Sequence, residues 1–287
     1  MHTQKLSKMN LGVVVALVVG SFVIAAIAGG NYKLAYRMKK GQMLKYKTTT
    51  NTDQSMEMRG QEMNSTVEGV TMMRLEVEEV SKAGEITFVY ALDSLQVHVE
   101  SMQMDSTFRN PEGLIGKRTR QVINASGKKL KSTEIDSAAV GGMMARFAGG
   151  QQGGFRLLEL PEGEVKVGDS WTKNAVDTVM QGNNKMEVTP NQTYTIAAEV
   201  DTLGYKCLRI SYQGTISVKG EGTNMGMNFF VEGEGPSQGT AYFAPKEGLL
   251  IALLDDTDVE MTIALTGQMS MTIPQSTSTK AATVLIK

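Results

Sequence analysis

Four Met-x-Met pairs punctuate this chain, at 56–58, 102–104, 225–227 and 269–271. Thioethers are soft ligands that suit Cu(I), and methionine is also an adaptable apolar side chain. His98 stands four residues before Met102, in "LQVHVESMQM", so His98, Met102 and Met104 share one strand parity. One imidazole and two thioethers would make a Cu(I) site. The alternative is a histidine on the solvent face of a strand, beside methionines that fill a core or line an apolar surface. Asp256, Asp258 and Glu260 also fall on one parity. Calcium sites draw their oxygens from a bent loop, so the reading for these three is a solvated strand face.

Other chemistry is bounded by what the chain lacks. Only two histidines occur, His2 and His98, and only one cysteine, Cys207. That leaves no intrachain disulfide, no Cys-based zinc site and no three-histidine metal centre. Cys207 in "YKCLRI" reads as an inert strand residue with no base in view. The two GxG stretches within 218–239 do not open a helix after a strand, so they are not phosphate-binding loops. They read as glycines that relieve bends in a curved sheet. No nucleophile, base and orienting group assemble, and the expectation is a non-enzymatic protein without a cofactor. A formal charge of −1 over 287 residues gives no footing for nucleic acid.

The first thirty residues place the protein. Lys5 and Lys8 precede eighteen uncharged residues, 11–28, ending in Ala26-Ile27-Ala28. This is the layout of an export signal with an A-x-A cleavage site. Eighteen residues is also close to the length of a spanning helix, so an uncleaved N-terminal membrane anchor remains open. Both readings put residues 31–287 in the cell envelope, periplasmic or anchored facing the periplasm. No cysteine follows the apolar stretch, which excludes a lipid-anchored form.

From residue 40 onward the hydrophobic period is two. "TDVEMTIALTGQMSMTI" alternates throughout, as one half-buried antiparallel strand, and "EITFVYALDSLQVHV" alternates with a phase shift at "DS" that reads as a β-bulge or a break. Turn signals separate these runs at "MRGQEMN", "SKAGE", "NASGKK", "DTLGYK" and "APKEGLL". The pattern also repeats. "MKKGQMLKYK" (38–47) matches "VKVGDSWTKN" (165–174), "EEVSKAGEITFVYAL" (78–92) matches "AEVDTLGYKCLRISY" (198–212), and "NASGKKL" matches "APKEGLL". The offset stays between about 120 and 127, as for two similar halves. The expected fold is mainly β: two antiparallel meander halves, about 31–135 and 165–287, forming a curved sheet or open half-barrel. A short inter-half helix with Met143, Met144 and Phe147 at helical spacing is expected near 136–149, within a linker reaching 164. The N-terminal apolar segment would be a further helix.

"YKLAYRMKKGQMLKY" and "LPEGEVKVGDSW" resemble an uncharacterised family of exported Bacteroidota proteins, over most of residues 32–287. The layout, with the hairpin "GTAYFAPKEGLLIAL", is similar in architecture to LolA- and LppX-like lipoprotein carriers. That likeness implies a half-barrel holding lipid on a concave face. If strands run up and down in order, Met56, Met58, Met63, Met102, Met104, Met180, Met186, Met225 and Met227 meet at one rim, with Met143 and Met144 leaving from the same end. The functional expectation is an envelope protein that binds or carries an apolar, lipid-like ligand there. The alternatives are a structural envelope protein without ligand and a periplasmic Cu(I) binder.

Overall fold

The computed structural model describes residues 30–136, 157–174, 176–181, 184–224, 227–267 and 270–286. In chain order these residues form β1 (Tyr32–Lys33), β2 (Met43–Met58), β3 (Gln61–Val80), β4 (Ile86–Ser101), β5 (Asp105–Arg109), β6 (Arg118–Ile123), β7 (Lys129–Glu134), β8 (Glu164–Val165), β9 (Ser170–Lys173), β10 (Asp177–Gln181), β11 (Asn184–Thr202), β12 (Tyr205–Asn224), β13 (Met227–Ala244), β14 (Leu249–Thr266) and β15 (Met271–Ile286). Thirteen of them build one antiparallel sheet, in the order β10-β11-β12-β13-β14-β15-β2-β3-β4-β6-β7, with β9 also on β11 and β5 also on β4. The path is open, with no ladder between β10 and β7 among the described residues. So the fold is mainly β, on one large sheet that does not close into a barrel. The described residues contain no helix; residues 11–28 and 137–149, where the two helices are expected, Met143 and Met144 included, lie outside them.

The alternation makes two chemically different faces. Cross-strand partners share a face, and the ladders carry Tyr46, Leu75, Phe88, Ile210 and Phe243 onto the same one. These five belong to one core cluster and are almost fully buried. The register shifts where Met72 faces Ser94 but Met73 faces Leu92, leaving Asp93 as the extra residue. Of the two readings at "DS", a bulge or a break, it is a bulge within a continuous strand. It keeps Leu95, Val97 and Val99 on the core-bearing face and lets Asp93 meet Arg74 (3.5 Å) and Lys45 (3.8 Å) on the other. The run "TDVEMTIALTGQMSMTI", read as one strand, is instead a hairpin. β14 and β15 are its arms, and Leu265 faces Met271 across the ladder. Alternation continues through the turn, so periodicity alone hides the reversal.

The core lies at one end of the sheet, where the turns 81–85, 124–128, 203–204 and 245–248 gather. Two irregular segments fill it. Leu34, Tyr36 and Met38 come from before β2, and Leu157, Leu158 and Leu160 from before β8. Tyr36 donates its amide to Ala125 (2.8 Å) and its hydroxyl to the Leu158 carbonyl (2.9 Å). The Leu160 amide bonds Ser126 between β6 and β7 (2.8 Å), while Glu159 takes the Trp171 indole N–H (3.2 Å) and the Lys173 ammonium (3.0 Å) from β9. Segment 157–160 thus bridges the two ends of the sheet, which also meet at the Lys129–Asp177 ion pair (3.8 Å). The sheet is curled around these segments at the core end with its core-bearing face inward.

The two stretches matched in sequence share their local devices. Gly41 and Gln42 bond both backbone groups of Val77, as Gly168 and Asp169 bond those of Ile196. The register then slips just past each partner, between Val77 and Glu79 and between Ile196 and Ala198. Gly84 (φ 84°) and Gly204 (φ 82°) turn the two following hairpins.

At the β7 edge, Arg118 grips Asp136 through two side-chain N–H bonds (2.8 and 3.1 Å), and this holds the Asp136 carboxyl down at about 2. A carboxyl lowered on folding contributes stability above its unfolded pKa, near 4. That contribution is lost as pH falls from about 4 through about 2. Asp136→Asn should therefore flatten the acid limb of the stability curve in this window: the variant is less stable than the parent at neutral pH, and the two converge below about pH 2. An unaltered acid limb would show that the pair contributes nothing.

Candidate functional site: an apolar face at the turn rim

The opposite end of the sheet holds the turns 59–60 and 102–104 and the paired strand ends Gln181 with Asn184, Asn224 with Met227 and Leu265 with Met271. Met56 pairs with Met63 across the first of these, and Met58 stands at the tip of β2. Met186 faces Gly220, and Met227 opens β13 opposite Asn224. Met180 lies in β10 opposite Lys185. Met102 and Met104 lie in the turn that follows β4. Met225 and Met269 fall outside the described residues. The described members of the set therefore gather at one rim, away from the core.

Face matters as much as height. The ladders put Met56, Met58, Met63, Met186 and Met227 on the core-bearing face, with Val67, Val188, Ile216, Val218, Phe229, Val231, Met261, Ile263, Leu265, Met271 and Ile273. Nearly all of these are half-buried, not sealed. Next to them Leu95, Val97, Val99 and Leu114 form a second cluster, with Met104 and Phe108 packed on it. From β11 across to β4, eight neighbouring strands thus present a continuous apolar surface beyond the core.

Between core and rim the same face is polar, with a single formal charge. Thr48 and Thr52 bond Thr283 (2.9 Å) and Thr279 (3.2 Å), Gln192 bonds Ser237 (2.8 Å), and Tyr194 donates to Gln192 (2.7 Å). Trp171, Tyr194 and Tyr212 stack in sequence beneath them, with ring centroids 5.4 and 5.0 Å apart. Tyr212 donates its hydroxyl to Asp255. Along the paired lengths of these eight strands above the core-end bulges, Asp255 is the one formal charge that the register places on this face. Glycines on it mark close strand approach: a Cβ at Gly233 would come 2.7 Å from the Glu260 carbonyl. This fits the bend-relieving role read from the GxG stretches.

The recesses lie elsewhere. One, of about 740 Å³, is lined by the side chains of Asp53, Asn64, Thr66, Glu100, Asp258 and Glu260, which stand on the opposite, charged face. A ligand at the methionine rim would therefore rest on an open sheet face, not in a walled cavity. Asp256, Asp258 and Glu260 do occupy a solvated strand face, with Asp256 3.9 Å from Lys280. Among the described residues no group of three or more His, Cys, Asp or Glu could hold a metal ion.

The sheet separates the copper set. His98 is on the charged face, with Nδ1 3.0 Å from the Thr107 hydroxyl and Nε2 3.8 Å from Asp105. Met104 packs against the cluster of Leu95, Val97, Val99 and Leu114, whose β4 members are on the other face, and Met102 is 88% exposed in the turn. The parity argument failed because β4 ends at Ser101, after which no strand period links His98 to Met102 and Met104.

Cys207 is buried in the core cluster, and loss of solvation pushes its thiol up to about 12. Its thiolate is then negligible at pH 8. A disulfide-exchange reagent should label the denatured chain at once and the folded chain only at the rate of opening. Rapid labelling of folded protein would show that this part of the core is open.

No protein-family model matches the chain, and no curated protein matches it. Similar solved structures include an outer membrane channel of Pseudomonas putida F1, at TM-score 0.28 and 9% identity, covering 91% of this chain and 100% of that one. OpdQ of Pseudomonas aeruginosa gives TM-score 0.28 and 9% identity over 85% of this chain and 99% of its own. At TM-scores this far below 0.5 the likeness carries no argument about function.

Proposed function

We propose that this chain is a non-enzymatic protein of the cell envelope that binds or carries an apolar, lipid-like ligand on the Met-rich face of its sheet. The observation that carries this reading is the half-buried apolar surface spanning eight strands at the rim. Soluble proteins rarely leave so broad an apolar area uncovered without an interaction to make there. Methionine and other flexible side chains suit a ligand of loosely defined shape. The export-type leader supports an envelope location, with the membrane as a further partner where the leader is retained.

The test is organic extraction of the full-length protein purified from the envelope fraction, followed by lipid mass spectrometry. A near-stoichiometric apolar compound is the expected result. Its absence, together with no binding of the uncharged dye N-phenyl-1-naphthylamine, would overturn the reading in favour of a structural role.

A further inference from the structure

The charges around the apolar face are one-sided. In the rim half of the sheet, residues 53–68, 97–112, 177–191, 215–234 and 257–275 carry fourteen Asp and Glu against four Lys and Arg. Two of those four cations are already engaged, Lys185 with Glu187 (2.6 Å) and Lys219 with Glu232 (3.1 Å). The acids stand mainly on the charged face, one sheet thickness from the apolar one. That is within about a Debye length at physiological salt, so their field reaches a bound ligand. On the apolar face itself, above the core-end bulges, no Lys, Arg or His lies along the paired lengths of the eight strands, and Asp255 is the one formal charge.

Resting on the reading above, we infer that the occupant of this face is an amphiphile with a cationic head: the apolar chain lies along the rim and the head sits at the hydroxyl and amide belt beside Asp255. Val259 to Leu265 on β14 spans about 20 Å at the usual rise of roughly 3.3 Å per residue, enough for a long alkyl chain. Just below it, Thr257 accompanies Asp255 on the same face of β14. An anionic head finds no cation there, and it would pay desolvation with no ion pair to offset it. The same acidic surround disfavours an anionic bilayer as the occupant.

The experiment compares three twelve-carbon probes below their micelle concentrations, on the full-length protein at pH 7: dodecylamine, dodecyl maltoside and laurate. Each is read by displacement of N-phenyl-1-naphthylamine. Dodecylamine should bind at least about tenfold tighter than laurate, with maltoside between, and added salt should narrow the gap. Asp255→Asn should bring dodecylamine close to maltoside, with circular dichroism checking that the variant is folded. Should it fail to fold, the salt dependence and the order of the three probes decide alone. Laurate binding as tightly as the amine would overturn the inference and leave an apolar-ligand protein. A folded Asp255→Asn with the amine preference intact would overturn the placement of the head. If none of the three binds, and the dye does not, the apolar-ligand reading itself falls.

Discussion

Replacing Tyr36 with Ala should destabilise the protein by about 3–5 kcal/mol, the cost of truncating a large buried ring. Tyr36 is 3% exposed and meets Phe243 edge-on, with centroids 5.3 Å apart and planes at 84°. It ties the segment before β2 to Ala125, between β6 and β7, and to Leu158 in the strap formed by segment 157–160. Tyr36→Phe keeps the ring and removes only the hydroxyl, which leaves the Leu158 carbonyl without that donor; a loss of about 1–3 kcal/mol is expected. Gly127 tests the same junction from below. Its φ is +87°, and an added Cβ would lie 2.5 Å from the Tyr36 ring and 2.8 Å from the Leu158 carbonyl. Gly127→Ala should therefore weaken the protein through the same contact, and its effect should not add fully to that of Tyr36→Ala. Urea denaturation of the three variants and the double measures this. A loss below about 1 kcal/mol for Tyr36→Ala would mean that the strap is not part of the folded core.

That junction could not be read from the sequence. "FRLLEL" looks like a lead into a strand, yet Leu157, Leu158 and Leu160 are buried without belonging to one. Nothing local in the chain reports that these residues fill the space between two sheet ends. The neighbourhood of β15 and β2 was equally hidden, because periodicity says that a strand exists and not which strand it pairs with. What could be read were the local devices with a backbone cause. The extra residue at Asp93, the glycines at 84 and 204 and the half-buried alternation all have one. An up-and-down meander sends every second turn to the same end, which is why the described methionines of the set stand at one height. The sequence did not reveal that five of them share a face, nor that Asp255 is alone among the charges there. Both follow from the ladder registers taken together across eight strands.

The methionine rim should separate binding from stability. Met56, Met63, Met186 and Met227 are half-buried on the apolar face, on four different strands. Converting all four to Ser strips apolar surface from the rim and leaves the core cluster untouched. A fully buried Met truncated to Ala costs about 2–5 kcal/mol, so four core positions would unfold a protein of ordinary stability. Half-buried positions already spend much of their surface in water, and the cost of each should lie well below that range. Binding of N-phenyl-1-naphthylamine should instead weaken by at least about tenfold, because the ligand loses contacts on every strand that it crosses. Dye titration and thermal unfolding of the same preparation decide between the two roles. A collapse of the unfolding temperature in proportion to lost binding would make the methionines core filling. Unchanged dye affinity in a folded quadruple variant would take the ligand site away from the rim altogether.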